Sequence, residues 1–259
     1  MQEEIPASGA FSFGGKWMET MEVTFIGHSG FLVKTEKENF LFDYYRGTIP
    51  QMEKEKPLFV FASHKHADHF NPEIFRLADL YPQITFVLSY DIRINPHHME
   101  RWQLREEVAE KILTVRANEE YEPGGFKLRT LKSTDAGVAF LLMTEAGTIY
   151  HAGDLNWWFW EGEDKQQNNN MSANFKREID KLTDIPIDVA FVPLDPRLEA
   201  HYYLGMEYLM KRAKIRYVFP MHCWEDYDVA DRFIREGHAE SGQGEIMKIT
   251  RAGQTFRCD

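Results

Sequence analysis

PLFVFASHKHADHF, residues 57–70, joins an unbroken apolar run to a loop dense in metal-ligating side chains. Leu58 to Ala62 offer no polar position, the pattern of a strand buried on both faces of a sheet. The loop that follows carries His64, His66, Asp68 and His69. Imidazole nitrogens and carboxylate oxygens are the donors that Zn, Mn and Fe accept. In extended backbone His64 and His66 project to one side, and past the turn Asp68 and His69 can aim at a second point nearby. The bland alternative is a solvated polar loop that happens to hold three histidines.

Working outward, EVTFIG (22–27), GFLVKT (30–35) and NFLFD (39–43) are short β-branched and aromatic runs separated by turn signals. They read as an antiparallel meander. After the histidine loop, PEIFRLADL is a helix candidate, with Asn71 as its N-cap and Pro72 at the first helical position. Strand candidates ITFVLS, ILTVR, FKLRTL, GVAFLLMT and TIYHAGD follow, with a polar helical stretch around 100–111. A polar loop rich in Asn and Gln then leads to the helix SANFKREIDKL, with Ser172 as N-cap. The last third alternates strand IDVAFVP, helix GMEYLMKRA, strand RYVFP and helix DVADRFIRE, and ends near EIMKIT in a short strand. Hairpins early and strand–helix alternation late predict a layered α/β domain. No repeat of fixed period and no long linker divides it, so residues 21–259 read as one domain. Residues 1–20, with Gly, Ser and Pro, read as an N-terminal extension lying over it.

Thirty Lys+Arg against 41 Asp+Glu give a formal net charge of −11. A field of that sign repels phosphate backbones and argues against nucleic acid as a partner. No apolar run approaches the roughly 20 residues needed to span a bilayer, and the acidic start MQEEIPASGA has no apolar core of a signal peptide. Two cysteines, Cys223 and Cys258, could form at most one disulfide. A chain of this size buries roughly three quarters of its unfolded surface and needs none. The expectation is a cytoplasmic protein without a membrane partner.

The H-x-H-x-D-H pattern after a strand resembles the signature of the metallo-β-lactamase superfamily. Two further elements match: HAGD, ending in Asp154, and FPMH, ending in His222. The resemblance runs from about residue 22 to the C-terminus. It implies an αββα fold, a four-layer sandwich of two mixed sheets with outer helices. It also implies two divalent metal ions, Zn or else Mn or Fe: one on His64 and His66, the second on Asp68, His69 and His222, with Asp154 bridging both. One family element is missing. Where a histidine is expected before a strand, the chain reads LKSTDAGVAFLL, and Asp135 is the nearest strong donor. Two roles stand for Asp135, a ligand of the first metal or a hydrogen-bond partner of a ligand histidine. As a ligand it makes that site harder and favours Mn or Fe over Zn. Ser133 and Thr134 could contribute only weakly. GHSGFLV, taken with HAGD and FPMH, is most similar to the branch containing the L-ascorbate-6-phosphate lactonase.

The resemblance implies a hydrolase in which a metal-bridged hydroxide attacks a carbonyl or phosphoryl centre, with Asp68 and Asp154 as the catalytic carboxylates. The expected partner is a small-molecule lactone, ester or phosphoester. Two other readings remain: a phosphodiesterase for a nucleotide or phospholipid-derived substrate, and a non-catalytic metal- or ligand-sensing domain. A homo-oligomer is left open. Candidate substrate contacts are His28, Trp157, Asp195 and Arg197, the last suited to a phosphate or carboxylate. Other roles stand beside these: His28 as a partner backing a metal ligand or as a turn residue, the tryptophans 157, 158 and 160 as packing under a loop, Asp195 and Arg197 as a structural pair. His201 and Tyr202 are weaker rim candidates. Cys223 reads as a small buried hydrophobe or an oxidation-sensitive thiol, and His97 and His98 as a solvated helix start.

Overall fold

The computed structural model describes residues 20–240 and 242–259, so the expected extension at 1–20 lies outside the described residues except for Thr20. Six strands come first: β1 (Met21–Gly27), β2 (Gly30–Lys34), β3 (Asn39–Phe42), β4 (Leu58–Ala62), β5 (Ile84–Ser89) and β6 (Ile112–Val115). Seven more make the second sheet: β7 (Glu120–Tyr121), β8 (Lys127–Lys132), β9 (Val138–Met143), β10 (Thr148–His151), β11 (Pro186–Pro193), β12 (Lys214–Met221) and β13 (Glu245–Ile246). The last strand, β14 (Thr255–Cys258), returns to the first sheet and pairs antiparallel with β1. The sheet orders are β14-β1-β2-β3-β4-β5-β6 and β13-β12-β11-β10-β9-β8-β7.

Both sheets are mixed in the same way. From β14 to β3, and from β7 to β10, neighbours are antiparallel; from β3 to β6, and from β10 to β13, they are parallel. The two halves share a strand plan although the sequence shows no repeat of fixed period. The architecture is the four-layer αββα sandwich that the resemblance implies.

Alternation along each strand explains the layers. In β2 to β4, Phe31, Val33, Phe40, Phe42, Phe59 and Phe61 face the second sheet. Their neighbours Leu32, Leu41, Leu58 and Val60 face outward into a separate core. With both faces buried, period-two alternation of side-chain direction leaves no polar position, which is why these strands read as continuous apolar runs. Aromatic rings bridge the sheets: Phe31 to Phe191 at 4.2 Å and Phe61 to Phe140 at 5.1 Å between centroids. Burying each such ring contributes about 1.5–3 kcal/mol.

The outer core of the first sheet is closed by a 3₁₀ helix at Pro72–Asp79 and by α1 (Pro96–Trp102) and α2 (Glu106–Ala109). Asn71 caps the first of these through its side chain, as its sequence position indicates, although the segment winds as 3₁₀. The polar stretch around 100–111 is broken by Gln103 in the left-handed region at φ 52°. Against the second sheet lie α3 (Lys165–Ile179) and α4 (Leu204–Arg212), through Phe175, Ile179, Met206 and Leu209. The expected N-cap at Ser172 is incorrect. The N-cap lies eight residues earlier, where the Asp164 side chain accepts from the Gln167 amide. The Asn/Gln-rich segment is its first two turns, anchored by the buried Asn168 amide donating to the Trp160 carbonyl at 3.0 Å. α5 (Val229–Arg235) follows β12 as expected.

Candidate metal centre

One edge of the sandwich collects the carboxyl ends of β3, β4, β10, β11 and β12 with the β1–β2 and β8–β9 turns. Chain ends at such an edge are where open α/β sheets place their ligands. His64, His66, Asp68 and His69 follow β4; Asp154 follows β10; Asp195 follows β11; His222 follows β12; His28 and Asp135 sit in the turns. Two glycines permit the close approach. A Cβ on Gly137, at φ +68°, would lie 1.9 Å from the Ser63 carbonyl oxygen and 2.6 Å from the His64 Cβ. One on Gly153, at φ +51°, would lie 2.7 Å from the Ser63 Cβ. Both turns therefore press on the segment that carries the histidines.

The donors fall into two groups, each with ligand atoms within 4.8 Å of one another: His64, His66, Asp135 and Asp154, and His28, Asp68, His69 and His222. Asp154 reaches both. Its Oδ2 lies 3.3 Å from His64 Nε2, while its Oδ1 lies 3.1 Å from His69 Nε2 and 3.5 Å from His222 Nε2. Asp135 Oδ2 lies 3.7 Å from His66 Nδ1. Asp68 Oδ2 lies 4.0 Å from His69 Nε2 and 3.9 Å from His222 Nε2. All seven residues matched to metal ligands in the sequence thus come together.

Backing residues set the tautomers. Asp43 accepts the Ser63 amide at 2.7 Å and the Ser63 hydroxyl at 2.6 Å. With that hydroxyl proton committed, His64 Nδ1–H donates to Ser63 Oγ at 3.0 Å. His69 Nδ1–H donates to Asp43 Oδ2 at 2.7 Å, and His222 Nδ1–H donates to Asp195 Oδ2 at 3.0 Å. Each ring so fixed turns its Nε2 inward, the arrangement that orients imidazoles for a metal. Among the described residues, buried Nε2 of His64, buried Nε2 of His69 and buried Oδ1 of Asp154 have no hydrogen-bond partner. Leaving such atoms unpaired costs about 1–3 kcal/mol apiece, and divalent cations would satisfy all of them.

The charges agree. Burial would raise the Asp154 carboxyl, but His69, His64 and His222 outweigh it and hold it well below the usual carboxylate range. Asp43 is lowered in the same way, burial being overcome by His151 and His69. At Asp68 the neighbouring His28 leads the lowering. Asp195, opposed by burial, is brought to about 2 by His222 and Arg197. The centre is therefore rich in carboxylates kept anionic, a donor set that calls for cations.

Both groups open on a cavity of about 330 Å3 lined by His66, Asp135, Trp158, Trp160, Arg197 and Trp224, among others. Two candidate substrate contacts need correction. Trp157 does not line the cavity: its ring lies 6.2 Å from Phe175 and 6.3 Å from Tyr208, under the Lys176 ammonium. Trp158 turns inward instead, its indole N–H donating to the Asp154 carbonyl at 2.9 Å. Asp195 is fully buried and spends its oxygens on His222 and Arg197, so no substrate reaches it. Arg197 stays half-exposed, with its guanidinium 4.3 Å from the Trp224 ring. His201 turns away to Glu161 at 3.4 Å, and Tyr202 is buried with its hydroxyl donating to Glu236 at 2.6 Å. Cys223 is buried, its thiol pushed up by burial and by Asp195 and Asp226.

Residues not singled out by sequence are Asp43, Ser63, His151, Met171 and Trp224. His151, in the middle of HAGD, is fully buried; its Nε2–H donates to the Ser29 carbonyl at 2.9 Å and its Nδ1 accepts the Gly153 amide at 3.1 Å. Its place inside a strand-end motif was a usable signal. Asp43, closing NFLFD, offered only a carboxylate at a strand end.

A sandwich of two mixed sheets with paired His/Asp groups at one edge defines a metallo-β-lactamase-type fold. The model of the beta-lactamase superfamily domain matches residues 22–170, and the chain belongs to that superfamily. A curated relative, a UPF0173 metal-dependent hydrolase of Carboxydothermus hydrogenoformans, is 23% identical over 215 residues, 78% of this chain and 84% of the relative. Among solved structures, the metallo hydrolase Igni18 of the archaeon Ignicoccus hospitalis superposes with a TM-score of 0.60 at 15% identity, covering 93% of this chain and 99% of that one. The metallo-beta-lactamase fold protein YhfI of Bacillus subtilis gives 0.58 at 16% identity, covering 92% and 99%. At these identities the structural likeness is one of fold.

Proposed function

We propose that the protein is a metal-dependent hydrolase that holds two divalent ions and acts on a small lactone, ester or phosphoester. The observation that carries this reading is the Asp154 carboxylate, one oxygen facing His64 and the other facing His69 and His222. His64, His66, Asp135 and Asp154 would hold one ion; Asp68, His69 and His222 would hold the other, with Asp154 shared. The relative's name, a metal-dependent hydrolase, supports the same reading. Bound there, such ions supply the Lewis acidity that activates water and stabilises a developing oxyanion.

The chain's own residues do the rest. Asp68 is partly exposed at the cavity and presents an acceptor that orients a water proton. Trp158, Trp160 and Met171 give the cavity an apolar wall, and its volume, near the lower end for ligand pockets, suits a small substrate. Arg197, positioned by Asp195 and Trp224, binds a carboxylate or phosphate on that substrate. The two cysteines are free and buried, in keeping with a reducing, cytoplasmic setting. No helix among the described residues is long and apolar enough to cross a membrane.

The test is a panel of a lactone, a phosphodiester, a carboxylic ester and a thioester, offered to chelator-stripped protein and to protein reloaded with zinc, manganese or iron. Turnover that is lost on stripping and regained on reloading is expected for at least one member. Two ions bound with no turnover of any would overturn the hydrolase reading in favour of a sensing domain.

A further inference from the structure

His28 belongs to a candidate donor group at the centre although the ligand pattern of the superfamily gives it no role. It occupies the two-residue turn between β1 and β2, with Gly27 paired to Gly30. Its φ is +55°, a left-handed conformation that costs a non-glycine residue about 1–2 kcal/mol. Strain of that kind persists where the surroundings over-determine it, and it concentrates at functional positions. Here the surroundings are specific. The His28 carbonyl accepts the His222 amide at 3.1 Å, tying the turn to the end of β12. The ring is wedged against His222, with centroids 4.2 Å apart, and against Trp224 at 4.7 Å.

The wedge aims a nitrogen at the second donor group. The His28 side chain is 7% exposed, its Nε2 lies 3.4 Å from Asp68 Oδ2, and that Nε2 has no hydrogen-bond partner among the described residues. Around a tetrahedral zinc with bonds of about 2.0–2.1 Å, donor atoms stand roughly 3.3–3.4 Å apart. The spacing from Asp68 Oδ2 to the Nε2 atoms of His28, His69 and His222 is 3.4, 4.0 and 3.9 Å. A small contraction brings all four to ligand distance.

We propose that His28 is a third imidazole ligand of the second site, which makes the two halves of the centre chemically unlike. The first group, His64, His66, Asp135 and Asp154, offers two imidazoles and two carboxylates. The second, His28, His69 and His222 with Asp68, offers three imidazoles and one carboxylate before any share of Asp154. Imidazole suits zinc, and added carboxylate suits manganese or iron. The second site therefore takes zinc first, and the first site is left to a harder ion. This rests on the metal-binding reading above.

The experiment loads chelator-stripped protein with one equivalent of zinc and counts its imidazole ligands by X-ray absorption at the zinc edge. Three are expected in the wild type and two in His28→Gln. Three imidazoles can come only from the second group with His28 included, because either group without it supplies two. A wild-type count of two, or an unchanged count in His28→Gln, overturns this assignment and leaves the metal-binding reading intact. Protein that binds no zinc overturns both. Because the wild-type count decides by itself, the outcome does not depend on the variant folding.

Discussion

His69 donates from Nδ1 to the carboxylate of Asp43 at 2.7 Å, and both side chains are fully buried. One carboxylate thereby orients two histidines, because Asp43 also takes the Ser63 hydroxyl that receives the His64 proton. Asp43→Ala should leave Ser63 and His69 without their acceptor and cost about 3–5 kcal/mol in urea unfolding of the chelator-stripped protein. Asp43→Asn keeps the shape and should cost about 10–100-fold in metal affinity. Wild-type stability and affinity in both variants would show that Asp43 orients nothing.

Asp154→Asn retains the shape of the bridge and removes the charge that two cations would share. One ion per chain should be lost on elemental analysis and turnover should collapse. Unchanged metal content would mean that Asp154 is no ligand.

At Asp135, 3.7 Å from His66, the predicted effect is confined to one site. Asp135→Ala should weaken the first ion by about 10-fold or more while the second stays nearly intact, as read by sequential metal titration. Asp135→His should move the first site towards zinc, since imidazole suits zinc better than carboxylate does. Equal weakening of both ions would count against a ligand role.

Gly137→Ala tests the packing that carries His64. The new Cβ would meet the Ser63 carbonyl at 1.9 Å from a backbone at φ +68°. The left-handed conformation alone costs about 1–2 kcal/mol, and the clash adds to it, so a loss of at least about 2 kcal/mol is expected in thermal or urea unfolding. A neutral result would mean that the turn moves freely away from β4.

For Arg197→Ala, the expected change is in KM. Losing a charged hydrogen bond of about 1.5–3 kcal/mol corresponds to roughly 10–100-fold for an anionic substrate, with kcat little altered. Neutral substrates should be unaffected. A fall in kcat at constant KM would place Arg197 in the chemistry instead.

Much was legible because it is local. Strands β1 to β4 follow from apolar runs only a few residues long, and the spacing within residues 64–69 already divides the donors between two points. The Asn71 cap was readable for the same reason: its side chain meets an amide two residues away. Ser172 does not cap the helix because, although the run of asparagines favours loops by intrinsic preference, burial of Asn168 and the Asp164 cap hold those turns as helix.

By itself the sequence determined most of the strand segments, a layered α/β domain and the donor types, since periodicity and residue chemistry are properties of short segments; the two-sheet plan came with the resemblance to the superfamily. Only the tertiary structure decided which groups back the donors and which face the cavity. Asp43 and His69 are 26 residues apart, Asp195 and His222 are 27 apart, and β14 closes on β1 from the far end of the chain. Trp158 rather than Trp157 reaches the cavity, and Asp195 is sealed behind His222. Such assignments depend on where separate strands end relative to one another. That is set by the packing of two sheets across a shared core, and no local pattern encodes it.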